Sequence, residues 1–494
     1  MEHLVIGISV VIICCAGYYF AWRQFSEERF KISLFLILFC GLIMRVYMAS
    51  DHYIHEWDER YHALVAKNLT KHPLKPTLYE NTIIQSDYRM WIANNVWLHK
   101  PTVPLWIMSA SIYSFGANEF AVRLPSVLLS LLAVYLTFLI GCTLFDNRVG
   151  LLAAFLHSIN GIVLEVAGGK LASDHVETFF DVFIEAAILL CILSIVKKNR
   201  YYYSFICGIF IGLAIISKWF PAMLVFPVWL TGAVFSRKYT FKEIVSHLMV
   251  MASGCLIIAL PWFVYFLHLF PQEARWEIYR SVVAYSESIE GWGAEWWYYI
   301  NYVEIIFGEI VYIPLIFALY RLITDRKEWA LKLLTIWWVI PVVIFSFGVT
   351  KRHSYLLISA PAYFVITAWF WFYLKDTMVN KRYNWLRVSV LVFLLALPIR
   401  LNIERMKPFN SSEMNPKWAQ DLRELNKQIK ERQVVIFNSE HPIETMFYTN
   451  FTAYPGLPDS TTIQKFITYG YTPYVYKNGM IQRLQWEPIF MPIN

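Results

Sequence analysis

The run Lys31–Ser50, KISLFLILFCGLIMRVYMAS, is long enough as a helix to cross a bilayer, which needs about 20 apolar residues. Comparable runs recur along the chain. Spanning helices are read near 3–22, 32–50, 121–144, 150–167, 176–196, 202–217, 219–235, 246–270, 299–320, 329–349, 353–374 and 384–402. Inside hydrocarbon every backbone N–H and C=O must find a partner within its own segment, so runs of this length fold as helices. The chain has 494 residues, of which 57% are hydrophobic and 16% charged. That composition suits a protein whose surface is mostly covered by lipid.

The net charge of +7 reflects basic loops at one membrane face rather than nucleic-acid binding, because no basic stretch is interleaved with aromatics. Loops after alternate spans carry Arg23, Arg29 and Lys31; Arg148; Lys197, Lys198 and Arg200; Arg237, Lys238 and Lys242; Arg321, Arg326 and Lys327; and Lys375, Lys381 and Arg382. Short loops rich in Lys and Arg stay in the cytoplasm. The remaining segments, 51–120, 168–175, the junction at 218, 271–298, 350–352 and everything after 403, then face outward. Residues 103–115, VPLWIMSASIYSF, are apolar but short, and are read as a helix in the interface rather than a crossing.

The seven cysteines lie in apolar runs without a CxxC pair, so they read as small hydrophobes. The segment 3–22 lacks a basic n-region and an A-x-A site, so it reads as a retained helix rather than a signal peptide. Residues 403–494 are mixed and polar, with a strand-like RQVVIFN and a helix-like STTIQKFIT. The expected fold is an α-helical polytopic membrane protein of about 12 helices over 1–402, with outer loops 51–120 and 271–298, followed by a small extracytoplasmic α/β domain over 403–494.

This topology gathers Asp58, Glu59, Lys100, Asp174, Lys218, Lys351 and Arg352 at one face. Singly, each has a plain structural account. Asp58 and Glu59 serve equally as solvated loop charges. Asp174 has capping-box spacing to Glu177. Lys218 is placed to snorkel, and Lys351 with Arg352 to flank a span. HEWDERYH, residues 55–62, is not HExxH, because Glu59 stands where the second histidine belongs. Together, acids and cations at one face suit a lipid-linked sugar phosphate. Cations stabilise charge building on the phosphate, and a carboxylate accepts a proton from, or orients, an attacking hydroxyl.

The ordered motifs resemble those of the GT-C type polyprenyl-phosphate-sugar-dependent glycosyltransferases, the protein O-mannosyltransferases and lipid A aminoarabinose transferases in particular. WDERYHALVAKNL is similar to the family's DE-containing start of the first outer loop. HKPTVPLWIMSASIYSFG resembles its KPPL-type segment, and GANEFAVRLPSVL its G-x-x-E-F-x-x-R-L-P run. LASD, ISKWFPAMLVFP and TKRHSYLLISAP follow in the family's order. The resemblance implies an inverting transfer from a polyprenyl-phosphate sugar to a lipid, glycan or protein acceptor, at the outer face of the inner membrane. It implies Asp58 as base or acceptor-positioning group, with Glu59 and Asp174 as further acids. It implies Lys100, Lys218, Lys351 and Tyr355 as phosphate-holding groups.

Two departures stand out. His99 replaces the glutamate that precedes the lysine in aminoarabinose transferases, which leaves a divalent metal open; no other cofactor is implied. Trp219 replaces the glycine after the membrane lysine, narrowing the lipid cleft. The loop 271–298 carries Arg275, Arg280 and many aromatics, and reads either as an interfacial belt or as a lid whose arginines close on the phosphate. Asp181 and Glu185 share a helix face within one span. Glu165, Glu304 and Glu309 are also at membrane depth. Such residues mark a wet cavity or an ion path. They keep a second reading open, a secondary transporter or flippase for an anionic lipid or solute. A third is a scaffold built around the tail.

Overall fold

The computed structural model describes residues 2–80, 83–84, 86–171, 174–198, 200–289, 291–324, 328–377, 384–411, 413–477 and 480–484. The chain is an α-helical polytopic membrane protein with a small sheet near its C-terminus. It divides into two compact units, one of Met1–Ser50 with Arg123–Ser412, the other of Asp51–Val122 with Glu413–Asn494.

In the first unit, nine helices among the described residues are long and apolar enough to cross a membrane. Two bent pairs raise the number to 11 if each is one span: Asn147–Ser158 with Gly161–Ala167, bent by 59°, and Tyr298–Phe307 with Glu309–Thr324, bent by 115°. The run 219–235 forms a 3-10 turn, Phe220–Leu224, and a helix, Val225–Ser236. It is shorter than a full span because the chain turns at Trp219 and Pro221. Twelve crossings are reached only if both bent pairs and this segment each cross.

The break at Asn160 is satisfied locally. Its side-chain oxygen accepts from Val163 N at 3.1 Å, and its amide donates to Ile306 O at 2.8 Å. Helices Tyr201–Lys218 and Phe241–Leu269 approach through glycines. A Cβ on Gly208 would lie 2.0 Å from Met251 O, and one on Gly254 2.3 Å from Phe205 O. Small residues at such crossings let dispersion replace the absent hydrophobic drive. Arg45, fully buried in Phe30–Met48, donates to Ser130 Oγ at 2.8 Å and to the carbonyls of Gly41 and Ser158. Glu165 pairs with Arg405 at 3.2 Å, and Glu309 with Arg400. All seven cysteines are free.

The second unit differs from the division expected at residue 402. The segment 51–122 packs with the tail through half-buried cations that reach buried acids and carbonyls. Lys67 donates to Met446 O at 2.8 Å, Phe447 O at 2.9 Å and Thr449 O. Arg60 meets the fully buried Glu444 at 3.2 Å. Glu119 takes both Arg423 and the Tyr448 hydroxyl at 2.6 Å. The tail forms a four-stranded sheet of order β2-β1-β3-β4, with β1 Val434–Phe437, β2 Thr452–Ala453, β3 Thr472–Lys477 and β4 Met480–Arg483. β1 runs parallel to β2 and β3, and β4 is antiparallel.

Truncation after residue 412 therefore removes the partners of Arg60, Lys67 and Glu119. Those contacts are what tie the segment 51–122 to the tail. Limited proteolysis of the truncated chain is expected to cut within 51–122 at protease concentrations that leave the full chain intact. Equal resistance would contradict the packing described.

Candidate functional site

In the second unit, the helix Asp58–Leu69 begins with its two acids, where the N-terminal dipole favours negative charge. The preceding residue, Trp57, is exposed and holds φ 68° and ψ −134°, a region that non-glycine residues rarely occupy. The structure separates the two carboxylates. Asp58 is 7% exposed and lies 4.0 Å from Lys100 Nζ. Glu59 is fully buried and turned toward His55. Its Oε2 receives the His55 backbone N–H at 2.5 Å and faces ring Nδ1 at 2.6 Å.

His55 Nε2 meets Asp51 at 3.0 Å. Glu59 thus holds the loop entering the helix, while Asp58 lies toward Lys100. Both nitrogens of His55 face carboxylates, so Asp51, His55 and Glu59 are knit by hydrogen bonds. Among the described residues no group of three or more His, Cys, Asp or Glu is arranged to hold a metal ion. His99 packs on Trp97, whose other neighbour is the buried His62. Burial pushes the neighbouring Tyr61 phenol up.

In the first unit, Lys218 ends the helix Tyr201–Lys218, where the C-terminal dipole favours a cation. Its ammonium pairs with Glu177 and lies 4.6 Å from the Tyr355 ring centroid, a cation–π contact. Ser354 Oγ donates to the same Glu177 oxygen at 3.2 Å. Lys218 and Tyr355 come together as the motifs imply. Sequence reasoning missed Glu177, which it took for a helix cap. The signal was present in the spacing of Glu177, Asp181 and Glu185, three acids on one face of an apolar helix. Asp174 opens that helix, and its side chain lies outside the described residues.

Lys351 is 3% exposed and donates to Ala294 O at 2.9 Å and to Gly348 O. Burial lowers its ammonium below the usual lysine range. It pins the loop 284–294, which also bridges backbone to backbone with 349–351. Its observed role is that staple. Arg275 and Arg280 lie on a regular helix, Pro271–Val283, with Arg275 exposed and Arg280 half-buried.

Trp219 follows Lys218 at φ 71° and ψ −160°, a region essentially restricted to glycine. Its ring lies edge-on to Trp262 at 5.8 Å. An alanine ordinarily stabilises relative to glycine by about 0.4–1 kcal/mol where the backbone tolerates it. Here the order is expected to invert. Trp219→Gly should be more stable than Trp219→Ala by about 1–3 kcal/mol, the cost of such strain. Thermal unfolding of the two variants in detergent checks this, since both lack the indole and differ only in backbone tolerance.

The fold is similar to those of two solved membrane proteins. Crystal structures of ArnT from Cupriavidus metallidurans bound to undecaprenyl phosphate match it with a TM-score of 0.61 at 13% identity, covering 90% of this chain and 88% of that one. The archaeal oligosaccharyltransferase AglB from Archaeoglobus fulgidus, in complex with an inhibitory peptide and a dolichol-phosphate, matches at 0.55 and 13% identity, covering 85% and 64%.

Residues 99–265 match the family described as dolichyl-phosphate-mannose-protein mannosyltransferase. That stretch contains Lys100, Glu177 and Lys218, but not Asp58 or Tyr355. Over 280 residues the chain is 23% identical to undecaprenyl phosphate-alpha-4-amino-4-deoxy-L-arabinose arabinosyl transferase 1 of Pseudomonas fluorescens (strain Pf0-1), covering 54% of this chain and 48% of that protein. It is 25% identical over 276 residues to the corresponding transferase 2 of Proteus mirabilis (strain HI4320), covering 53% and 47%. The chain spans about half the length of the curated relatives it matches. These matches bear out the motif-level resemblance to GT-C polyprenyl-phosphate-sugar glycosyltransferases.

Proposed function

We propose that this chain is a membrane glycosyltransferase that moves a sugar from a polyprenyl-phosphate donor to an acceptor at the extracytoplasmic face of the inner membrane. The observation that carries the reading is the Asp58–Lys100 pair at 4.0 Å, an acid and a cation from separate segments at the start of a helix. The basic alternate loops support the orientation, and the similarity to arabinosyl transferases supports the donor class.

In the reaction an acceptor oxygen or nitrogen attacks the anomeric carbon. The bond from that carbon to the phosphate oxygen breaks, and polyprenyl phosphate leaves with the electron pair. Configuration inverts in the single displacement. Asp58 orients the acceptor and receives its proton, a role worth about 10²–10⁴-fold when a base is well placed. Lys218 balances charge growing on the phosphate, and Lys100 stands beside Asp58. Tyr355 holds the Lys218 ammonium. Asp174, Arg275 and Arg280 are assigned as auxiliary acid and phosphate groups.

Mass spectrometry of envelope lipids and glycans from cells with and without the chain tests the reading. Loss of one sugar modification, with build-up of a polyprenyl-phosphate sugar, is expected, and it would name both sugar and acceptor. The buried face of Glu177, Asp181 and Glu185 favours one competitor, a transporter for an anionic lipid or solute. Unchanged glycosylation with an altered leaflet distribution of lipid would support that competitor instead.

A further inference from the structure

We propose that Glu177 is a stand-in for the donor phosphate, holding Lys218 when the site is empty and taking up one proton when the donor binds. The inference rests on the assignment of Lys218 as a donor-phosphate group. Glu177 is 1% exposed, and its Oε1 accepts from both Lys218 and Ser354. The ammonium therefore already has a resident anion. A second anion beside a buried carboxylate is strongly disfavoured in low dielectric.

Among the described residues, the cations near Glu177 other than Lys218 are engaged elsewhere. Asp181 and Glu185 follow Glu177 on the same helix, and Asp181 Oδ1 is buried without a hydrogen-bond partner among the described residues. Helix Tyr201–Lys218 brings Lys218 at its C-terminal end. The segment His353–Ser359 brings His353 and Tyr355, with Lys351 and Arg352 just before it. Lys351 is bound to carbonyls, and the Arg352 guanidinium lies over Trp292 at 5.2 Å. Gly161–Ala167 brings Glu165, already paired with Arg405. Val225–Ser236 carries no titratable side chain. From Glu119–Leu144, Ser126 meets His175 and Thr137 donates to Glu185 at 2.5 Å. Tyr299 is close enough to Glu177 to feel its charge.

The exchange balances. Glu177 carboxylate and a proton give the neutral acid, which keeps Ser354 as a neighbour. The freed Lys218 ammonium then pairs with the phosphodiester monoanion. After transfer the proton leaves, Glu177 reclaims Lys218, and the extra negative charge helps expel polyprenyl phosphate.

A suitable probe is a polyprenyl methyl phosphodiester, which does not titrate near neutral pH. Calorimetry on the full chain in detergent, in two buffers of different ionisation enthalpy, counts the protons. The wild-type chain is expected to take up about one proton per probe, with affinity falling about tenfold per pH unit on the basic side. Glu177→Gln should take up none, bind independently of pH and bind at least as tightly. Glu177→Asp should restore the uptake.

Proton uptake and a pH slope persisting in Glu177→Gln, or weaker binding by it at every pH, would overturn the inference while leaving the donor site standing. Absence of probe binding by the wild-type chain would overturn the donor-site assignment and this inference with it.

Discussion

Asp58→Asn should lower turnover by about 10²–10⁴-fold, the range for loss of a positioned general base, while the variant stays folded and still binds donor. The substitution keeps the shape of the side chain and removes its charge and basicity. Its neighbour Lys100 is 18% exposed, so thermal unfolding of the variant is measured beside its turnover.

Glu59→Gln is the control that the geometry provides. Glu59 is fully buried and accepts the His55 backbone N–H. Losing its charge weakens contacts that fix the chain before the helix, so stability falls, by about 1–3 kcal/mol for a charge-assisted bond. Steady-state kinetics and thermal unfolding separate the two. Normal turnover by Asp58→Asn would remove Asp58 from the mechanism.

The second large effect is a rescue. Lys218→Met strips Glu177 of its cation in the membrane unit, where its side chain is 2% exposed, so it must hold an unpaired charge or take up a proton. Removing one partner of a buried pair costs about 3–5 kcal/mol, so the single variant should unfold at markedly lower temperature. Adding Glu177→Gln makes the site neutral and should recover most of that loss, because the orphaned charge caused it. Activity should not return, since the cation for the phosphate is still missing. Additive destabilisation in the double variant would show that the two side chains do not interact. Recovered activity would remove Lys218 from the chemistry.

Much of this architecture was legible from apolar run length, because hydrocarbon leaves the backbone no alternative to helix. The strand RQVVIFN and the helix STTIQKFIT appear as Val434–Phe437 and Ser460–Thr468, since short-range pattern decides both. The grouping of 51–122 with the tail was not legible. It depends on contacts such as Lys67 with Met446 and Arg423 with Glu119, which leave no local trace.

The site divides the same way. Lys218 and Tyr355 are carried by motifs, and the structure brings them together. Glu177 was hidden because the spacing Asp174-x-x-Glu177 also fits a cap, and its true partner lies 41 residues away. Glu59 was read with Asp58 because adjacency in sequence does not reveal that successive helical side chains point about 100° apart. The strained turn at Trp219 was seen only as a missing glycine. The backbone angle gives the physical reason a glycine suits that position.

The most direct test is a product balance. Purified chain is incubated with a polyprenyl-phosphate sugar and an acceptor fraction, and free polyprenyl phosphate and transferred sugar are both quantified. The account predicts that the two appear in equal amounts with the wild-type chain and that neither accumulates with Asp58→Asn. Intact donor recovered in full, with the wild-type chain folded and the lipid merely redistributed between leaflets, would contradict it.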